Sequence, residues 1–397
     1  MCVNDMTERL YYKDVYCREF FAEVTDCREG KHGYEIVMNR TAFYPEGGGQ
    51  PGDHGVLITM EQELVVISDT HEKNGEVVHY ADRFLEPGTT IVGRIDWDYR
   101  FSLMQNHSGE HIVSGLVHEK FGFENVGFHM SSDRMTVDFS GEFSVEDRKL
   151  LELRANEVVW NNVPVDIRLY SEEEVKLLQY RSKKELHGRV RIVTFPGADV
   201  CACCGTHVSH SGEIGLIKLI SLHKFRGGVR MEMVCGKKAL EYVNDICTQN
   251  QQISVMLSAK PGETADAVSH LKETEENMRF RMNQMEQEIF VQKAESLKDA
   301  GDVLLFEQEL VPDSVRKLAV AVMEICGGRC AVFSGNDEQG YKYGIGEKDG
   351  DLRAFVKEMN QTLHGRGGGK PFFAQGSVMA KKTEIEDFFQ KKHVDRI

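Results

Sequence analysis

The sequence predicts a mixed α+β protein in four parts: a small N-terminal β-barrel over residues 1–95, an α+β domain over 96–237 that carries metal-ligand motifs, a helical hairpin or short coiled coil over 238–300, and a C-terminal α/β domain over 301–397. Three observations predict it. Short alternating segments broken by glycine fill the stretch before residue 96, the apolar period lengthens to three and four residues from Phe101, and two long helical patterns meet at the break Ala259-Lys-Pro-Gly-Glu263. A chain of 397 residues exceeds one ordinary core, which agrees with several domains.

The barrel strands are read from GYEIVM (33–38), GVLIT (55–59), LVVIS (64–68), EVVHY (76–80) and IVGRI (91–95). Between the first two lies a glycine-rich loop, Thr41-Ala-Phe-Tyr-Pro-Glu-Gly-Gly-Gly-Gln50. It reads either as a wide turn needing positive φ or as a place where backbone N–H groups approach a ligand. In the next part Leu103, Met104, His107, His111, Ile112, Gly115 and Leu116 fall at helical spacing, and Ser144 caps a second helix bearing Leu150, Leu151, Leu153 and Val158. RMTVDF (134–139), VRIVTF (190–195), IGLIKLI (214–220) and VRMEMV (229–234) read as strands, so helices over a sheet is the economical arrangement. The hairpin helices carry Leu240, Val243, Ile246, Ile253 and Leu257 on one stripe and Leu271, Met278, Met282, Met285 and Ile289 on the other. Such stripes admit a homodimer through the hairpin or the C-terminal domain as well as packing on the chain's own domain. Beyond Gly301, VLLFEQEL (303–310) and CAVFSG (330–335) are strand-like, helices are expected around 314–325 and 351–362, and a second glycine-rich loop follows in LHGRGGGKPFFAQG (363–376).

Composition narrows the function. With 41% hydrophobic and 28% charged residues the chain is globular rather than disordered. No apolar run approaches the length of a membrane span, and MCVNDMTERLYYKD lacks the basic flank and apolar core of a signal peptide. Ten cysteines without such a signal read as thiols and metal ligands, and a cytoplasmic location is the expectation. A net charge of −15 excludes nucleic-acid binding as a global property, since a negative field repels phosphate. Local patches would have to carry it. Arg181, Lys183, Lys184, Arg189 and Arg191 face only Glu185, and the stretch from Arg353 holds Arg366, Lys370, Lys381, Lys382, Lys391 and Lys392.

The chemistry concentrates in two short motifs. In His107-Ser-Gly-Glu-His111 the imidazoles are four apart, so on a helix they leave one face and can converge on one cation. Cys203-Cys-Gly-Thr-His207 supplies a second pair at the same spacing, with glycine permitting a tight turn. One thiolate and three imidazoles favour Zn2+ over magnesium or calcium. His107 to His111 also fits H-x-x-E-H, a peptidase pattern in which Glu110 would be the general base and a downstream acid the third ligand. That reading leaves both glycine-rich loops and CCGTH unexplained.

Taken together these motifs resemble the alanyl-tRNA editing proteins of the AlaX type in their long form, relatives of the editing region of alanyl-tRNA synthetase. TAFYPEGGGQPGDHG (41–55), RIDWDYRFSLMQNHSGEH (94–111) and VCACCGTHV (200–208) resemble that family's motifs in order, and HGRGGGKPFFAQG (364–376) resembles the DHH-associated C-terminal domain. The resemblance implies that residues 96–237 form a zinc-containing editing domain with His107, His111, Cys203 and His207 as ligands. It implies that Thr41 distinguishes serine from alanine by contacting the extra hydroxyl, that Gln50 closes the same loop, and that His129 lines the pocket. It implies a trans-editing hydrolase acting on tRNA(Ala) that carries a wrong amino acid, serine or glycine. The expected absence of charging activity rests on the lack of a class II aminoacylation region ahead of the barrel. Two departures stand out: Ser-Gly-Glu separates the histidines, and Cys204 replaces a usual glycine, which makes Cys204 a rival ligand. The C-terminal loop is no phosphate-binding Walker motif, because Lys370 comes one residue early and Pro371 follows it; Arg366, Lys370 and backbone N–H groups are the expected tRNA contacts. A catalytically silent tRNA-binding module is the third alternative.

Overall fold

Six strands in the first part of the chain close on themselves. They are β1 (Glu19–Gly30), β2 (Gly33–Met38), β3 (Gly55–Thr59), β4 (Leu64–Lys73), β5 (Glu76–Ala81) and β6 (Thr90–Ile95), and the order around the barrel is β1-β2-β5-β4-β3-β6. Every neighbouring pair is antiparallel, and closure removes the exposed edges of a flat sheet. The structure is a computed structural model describing residues 7–30, 33–131, 134–182 and 188–392. Lys183, Lys184 and Glu185 of the basic stretch therefore lie outside the described residues. The chain divides into two compact units, Met1–Asn250 and Gln251–Ile397.

β1 is the strand that closes the barrel, and it was not among the apolar segments expected above. Its buried residues Phe20, Ala22 and Val24 alternate with exposed Glu19, Phe21 and Glu23, so alternation marks it where no apolar run does. These three side chains fill the barrel together with Ile36, Met38, Phe43, Leu57 and Ile67.

After the barrel, α1 (Trp97–Phe121) is capped by the Asp96 side chain, which accepts from the Tyr99 N–H, and it stops at Gly122 in the left-handed region (φ 69°). The sequence suggests one apolar face, yet every residue from Leu103 to Val117 is buried. The surplus of buried polar groups on this helix supplies the candidate site. Around it lie β7 (Asn125–Met130), β8 (Met135–Phe139), α2 (Val145–Trp160), β9 (Asp166–Tyr170), β10 (Val190–Phe195), β11 (Asp199–Ala202), β12 (Ile217–Phe225) and β13 (Gly228–Cys235). One antiparallel sheet has the order β12-β13-β8-β7 and another β9-β10-β11. Ser144 caps α2 as the sequence predicts, in a reciprocal box with Asp147.

The long helices are α3 (Gly236–Leu257), which crosses the division between the units, and α4 (Thr264–Glu295). Most of the stripe expected to pair them is open to solvent: Leu240, Ile246 and Ile253 on α3, and Leu271, Met278, Met282, Met285 and Ile289 on α4, are all exposed. α4 is instead anchored at its C-terminal end, where Phe290 and Ala294 enter a core with Val303, Leu305, Leu318 and Val322. In the second unit β14 (Gly301–Glu307), α5 (Pro312–Met323), β15 (Gly327–Asn336), β16 (Gly340–Gly346), α6 (Arg353–Thr362), β17 (Arg366–Lys370), β18 (Phe373–Val378) and α7 (Lys382–Gln390) form a sheet of order β14-β15-β16-β18-β17 with helices. The glycine-rich stretch expected as a loop is a hairpin, with β17 and β18 antiparallel from Arg366↔Ser377 to Lys370↔Phe373. Three consecutive glycines hid this strand, because they carry no side-chain pattern.

Candidate metal centre

Four side chains from two motifs converge beside the barrel. His107 and His111 project from one face of α1; Cys203 and His207 come from the turn after β11; their ligand atoms all lie within 4.8 Å of one another. The Cys203 Sγ is 3.5 Å from His107 Nε2 and 3.4 Å from His207 Nε2. A tetrahedral zinc with bonds of about 2.0–2.3 Å has edges of about 3.3–3.8 Å, so the spacing suits that ion.

The rings are aimed by partners on their far nitrogens. His107 Nδ1 meets Gln50 Oε1 at 2.9 Å, His111 Nδ1 meets Asp199 Oδ2 at 2.8 Å, and His207 Nδ1 meets Ser108 Oγ at 3.3 Å. A carbonyl or carboxylate oxygen on Nδ1 fixes the tautomer for His107 and His111 and leaves Nε2 as the ligand atom. Gln50 is doubly held, accepting from the Thr206 N–H (3.0 Å) and donating to Thr206 Oγ1 (2.8 Å), so the glycine-rich loop and the CCGTH turn are locked together over His107. Asp199 is clamped in turn by Arg181, Nε to Oδ1 at 2.7 Å and Nη2 to Oδ2 at 2.8 Å.

Close approach explains two glycines. A Cβ on Gly205 would sit 2.1 Å from His107 Cε1, and one on Gly49, where φ is +86°, would sit 2.5 Å from Phe128 Cδ1. Phe128 stacks on the His107 ring at 5.6 Å between centroids.

Electrostatics favour a thiolate at the centre. Burial opposes ionisation of Cys203, but the His107, His207 and His111 imidazoles outweigh it and bring the thiol well below its ordinary range. His111, Asp199 and Cys201 form a second cluster of ligand types. Burial pushes the Cys201 thiol up to about 11, and both Asp199 oxygens are engaged by His111 and Arg181, so the first quartet is the better cation holder. Cys204 is exposed, and it is the sulfur of Cys203 that lies among the imidazoles.

The other expected residues are placed as follows. Thr41 is fully buried, and its hydroxyl is 2.8 Å from His79 Nε2. Burial lowers His79 to about 4, which keeps it neutral, and its Nδ1 donates to the Ile36 carbonyl at 3.0 Å. Nε2 is therefore the acceptor and Thr41 the donor, while Thr41 Oγ1 accepts from the Phe43 N–H at 3.1 Å. His129 is exposed on β7, one residue beyond Phe128 and so on the opposite face. Glu110 of the peptidase pattern accepts from Ser114 and Asn125. The group that completes the histidine pair is Cys203 with His207, where that pattern requires an acid. Sequence reading missed Asp199, Ser108 and Thr206, and it gave Arg181 to a basic surface patch where the structure ties it down on Asp199. Only Asp199 carried a signal, a carboxylate four residues before Cys203.

Asp199→Asn should weaken metal binding at the quartet about 10- to 100-fold, since it removes the charge that orients His111; competition with a chromophoric chelator measures it.

In comparison with known families, residues 3–99 match the model of "tRNA synthetases class II (A)", residues 190–231 that of the "Threonyl and Alanyl tRNA synthetase second additional domain", and residues 287–393 the "DHHA1 domain". The chain is 30% identical to the alanyl-tRNA editing protein AlaX-L of Pyrococcus horikoshii, covering 98% of each chain, and 24% identical to the alanyl-tRNA editing protein Aarsd1-A of Xenopus laevis, covering 96% of each. It is also 26% identical to the alanine--tRNA ligase of Ignicoccus hospitalis, over 92% of this chain and 40% of that one.

Proposed function

The chain belongs to the alanyl-tRNA editing proteins, and from that premise we propose that it is a trans-editing deacylase, hydrolysing the ester of serine, and of glycine, on mischarged tRNA(Ala) without charging tRNA itself. The observation that carries the reading is the quartet of His107, His111, Cys203 and His207, buttressed by Gln50 of the glycine-rich loop. We take it to hold zinc, which when bound supplies a fixed positive charge to a closed four-ligand site. The chain's own polar groups then place the substrate. Gln50 keeps the loop on His107; His129, exposed on the face of β7 opposite Phe128, is not carried into the pocket. Thr41 donates its hydroxyl hydrogen to His79 and accepts from the Phe43 N–H, so its remaining lone pair is the group proposed to accept from the serine hydroxyl.

The proposed division of labour follows the four segments: barrel 1–95, zinc-holding part 96–237, helices 238–300 and C-terminal part 301–397. In the last, exposed Lys370 and Arg353 and the glycines of β17 line a cavity of about 410 Å³, and Arg366 opens the same strand. Arg366, Lys370 and the strand's backbone N–H groups are proposed to meet tRNA phosphates there, which reconciles tRNA binding with the net charge of −15.

The test is deacylation of Ser-, Gly- and Ala-tRNA(Ala). Serine should be released and alanine spared, and Thr41→Val should slow serine release about 10- to 100-fold while leaving Ala-tRNA(Ala) untouched, narrowing the discrimination. Inertness towards all three with metal bound would sink the reading. Aminoacylation with alanine and ATP should be absent.

A further inference from the structure

Beside the quartet runs a series of aromatic rings with no part in the chemistry above. Tyr44, in the glycine-rich loop, meets Tyr11 edge-on with centroids 5.4 Å apart, and Tyr11 meets Tyr12 edge-on at 4.6 Å. The first two rings are buried, whereas Tyr12 is 42% exposed. Over the Tyr12 ring, 5.3 Å from its centroid, lies the guanidinium of Arg191. Arg191 Nη1 also donates to the backbone carbonyls of Cys203 (2.7 Å) and Gly205 (3.0 Å). The open ring is thus held from two sides. The loop carrying Gln50 reaches it through Tyr44 and Tyr11, and the turn carrying Cys203 and Gly205 reaches it through Arg191.

A flat aromatic face, fixed in place and backed by a guanidinium, is the surface on which a nucleobase stacks. Core packing does not account for Tyr12, since its ring is open to solvent while Tyr11 and Tyr44 behind it are not. The position suits a base as well. In an aminoacyl ester the reacting carbonyl hangs on the ribose of one nucleotide, so when the carbonyl lies at the quartet, the base of that nucleotide must lie within a ribose's reach of it. Tyr12 is separated from the Cys203 backbone by a single guanidinium.

We propose that Tyr12, backed by Arg191, is the stacking platform for the base of the terminal nucleotide that carries the ester. The proposal rests on the deacylase reading and deepens it, making Tyr12 a substrate-positioning residue. It assigns Tyr12 to binding, so its loss should raise KM and leave kcat nearly unchanged.

The probe is a tRNA(Ala) acceptor hairpin whose terminal base is 2-aminopurine, titrated with the full-length chain. Wild type and Tyr12→Phe should quench its fluorescence by stacking. Tyr12→Ala and Tyr12→Leu should abolish the quenching and weaken binding roughly 5- to 100-fold. Tyr12→Leu keeps an apolar side chain, and bound zinc verifies that the quartet is intact in each variant. Equal quenching and equal affinity in Tyr12→Leu and wild type would overturn the platform. The two readings separate cleanly. Quenching that depends on Tyr12 in a protein inert towards Ser-tRNA(Ala) supports the platform and removes the deacylase. Hydrolysis with Tyr12-independent quenching keeps the deacylase and removes the platform.

Discussion

If the quartet holds zinc as proposed, replacing Cys203 with alanine is expected to strip the protein of metal and to lower the proposed Ser-tRNA(Ala) deacylation by more than about a hundredfold, because the four-ligand site loses its only thiolate. The effect should exceed that of any single partner on an imidazole Nδ1. Without the sulfur, His107, His111 and His207 are left as three buried rings with no thiolate among them, and the attraction it supplies is gone. Cys204→Ala is the matched control. Its thiol is exposed and it is the neighbouring sulfur that lies among the imidazoles, so zinc content and deacylation should both stay at wild-type levels. Elemental analysis of the two purified variants, paired with the deacylation assay, checks the prediction. Loss of metal in Cys204→Ala with retention in Cys203→Ala would reverse the ligand assignment. Retention of activity by metal-free Cys203→Ala would detach the metal from the reaction.

The quartet was legible because each pair obeys a local rule. Imidazoles four apart share a helix face, and a cysteine and a histidine four apart can meet across a glycine turn. That the two pairs face each other is a tertiary fact, carried by Gln50 and Asp199 from elsewhere in the chain. The five short apolar strands were also legible, whereas β1 was not, since it announces itself only by alternation. The stripes on α3 and α4 were legible, but whether anything covers them was not. Heptad spacing reports which side of a helix is apolar, and whether that side is covered depends on neighbours the spacing does not name. Thr41 teaches the same lesson at the level of one hydroxyl. Its place in the loop could be read, but its commitment to His79 required the barrel to close around both.

Asp53 also lies in the glycine-rich stretch, and its loss should produce the largest change in stability. Its carboxylate meets Arg100 on α1, with Nε to Oδ1 at 2.9 Å and a second contact from Nη2 to Oδ2, and both side chains are almost wholly buried. The same carboxylate accepts from the Tyr44 N–H at 2.6 Å, while Arg100 Nη2 also donates to the Ala42 carbonyl at 2.7 Å. In Asp53→Ala the guanidinium stays buried without its counter-ion and the loop N–H loses its acceptor, a cost of about 3–5 kcal/mol. For a unit of this size that lowers the midpoint of thermal unfolding by roughly 6–20 °C. Both tryptophans, Trp97 and Trp160, lie in the unit Met1–Asn250, so their fluorescence follows its unfolding separately from that of the second unit. Replacing both partners with leucine should recover most of the loss, because the penalty comes from an unpaired buried charge more than from the missing attraction. A shift of less than a few degrees in Asp53→Ala would mean that the pair does not hold the loop. With the pair broken, the loop that presses Gln50 onto His107 is released from α1, so zinc affinity should fall in Asp53→Ala and return, at least in part, in the double-leucine variant.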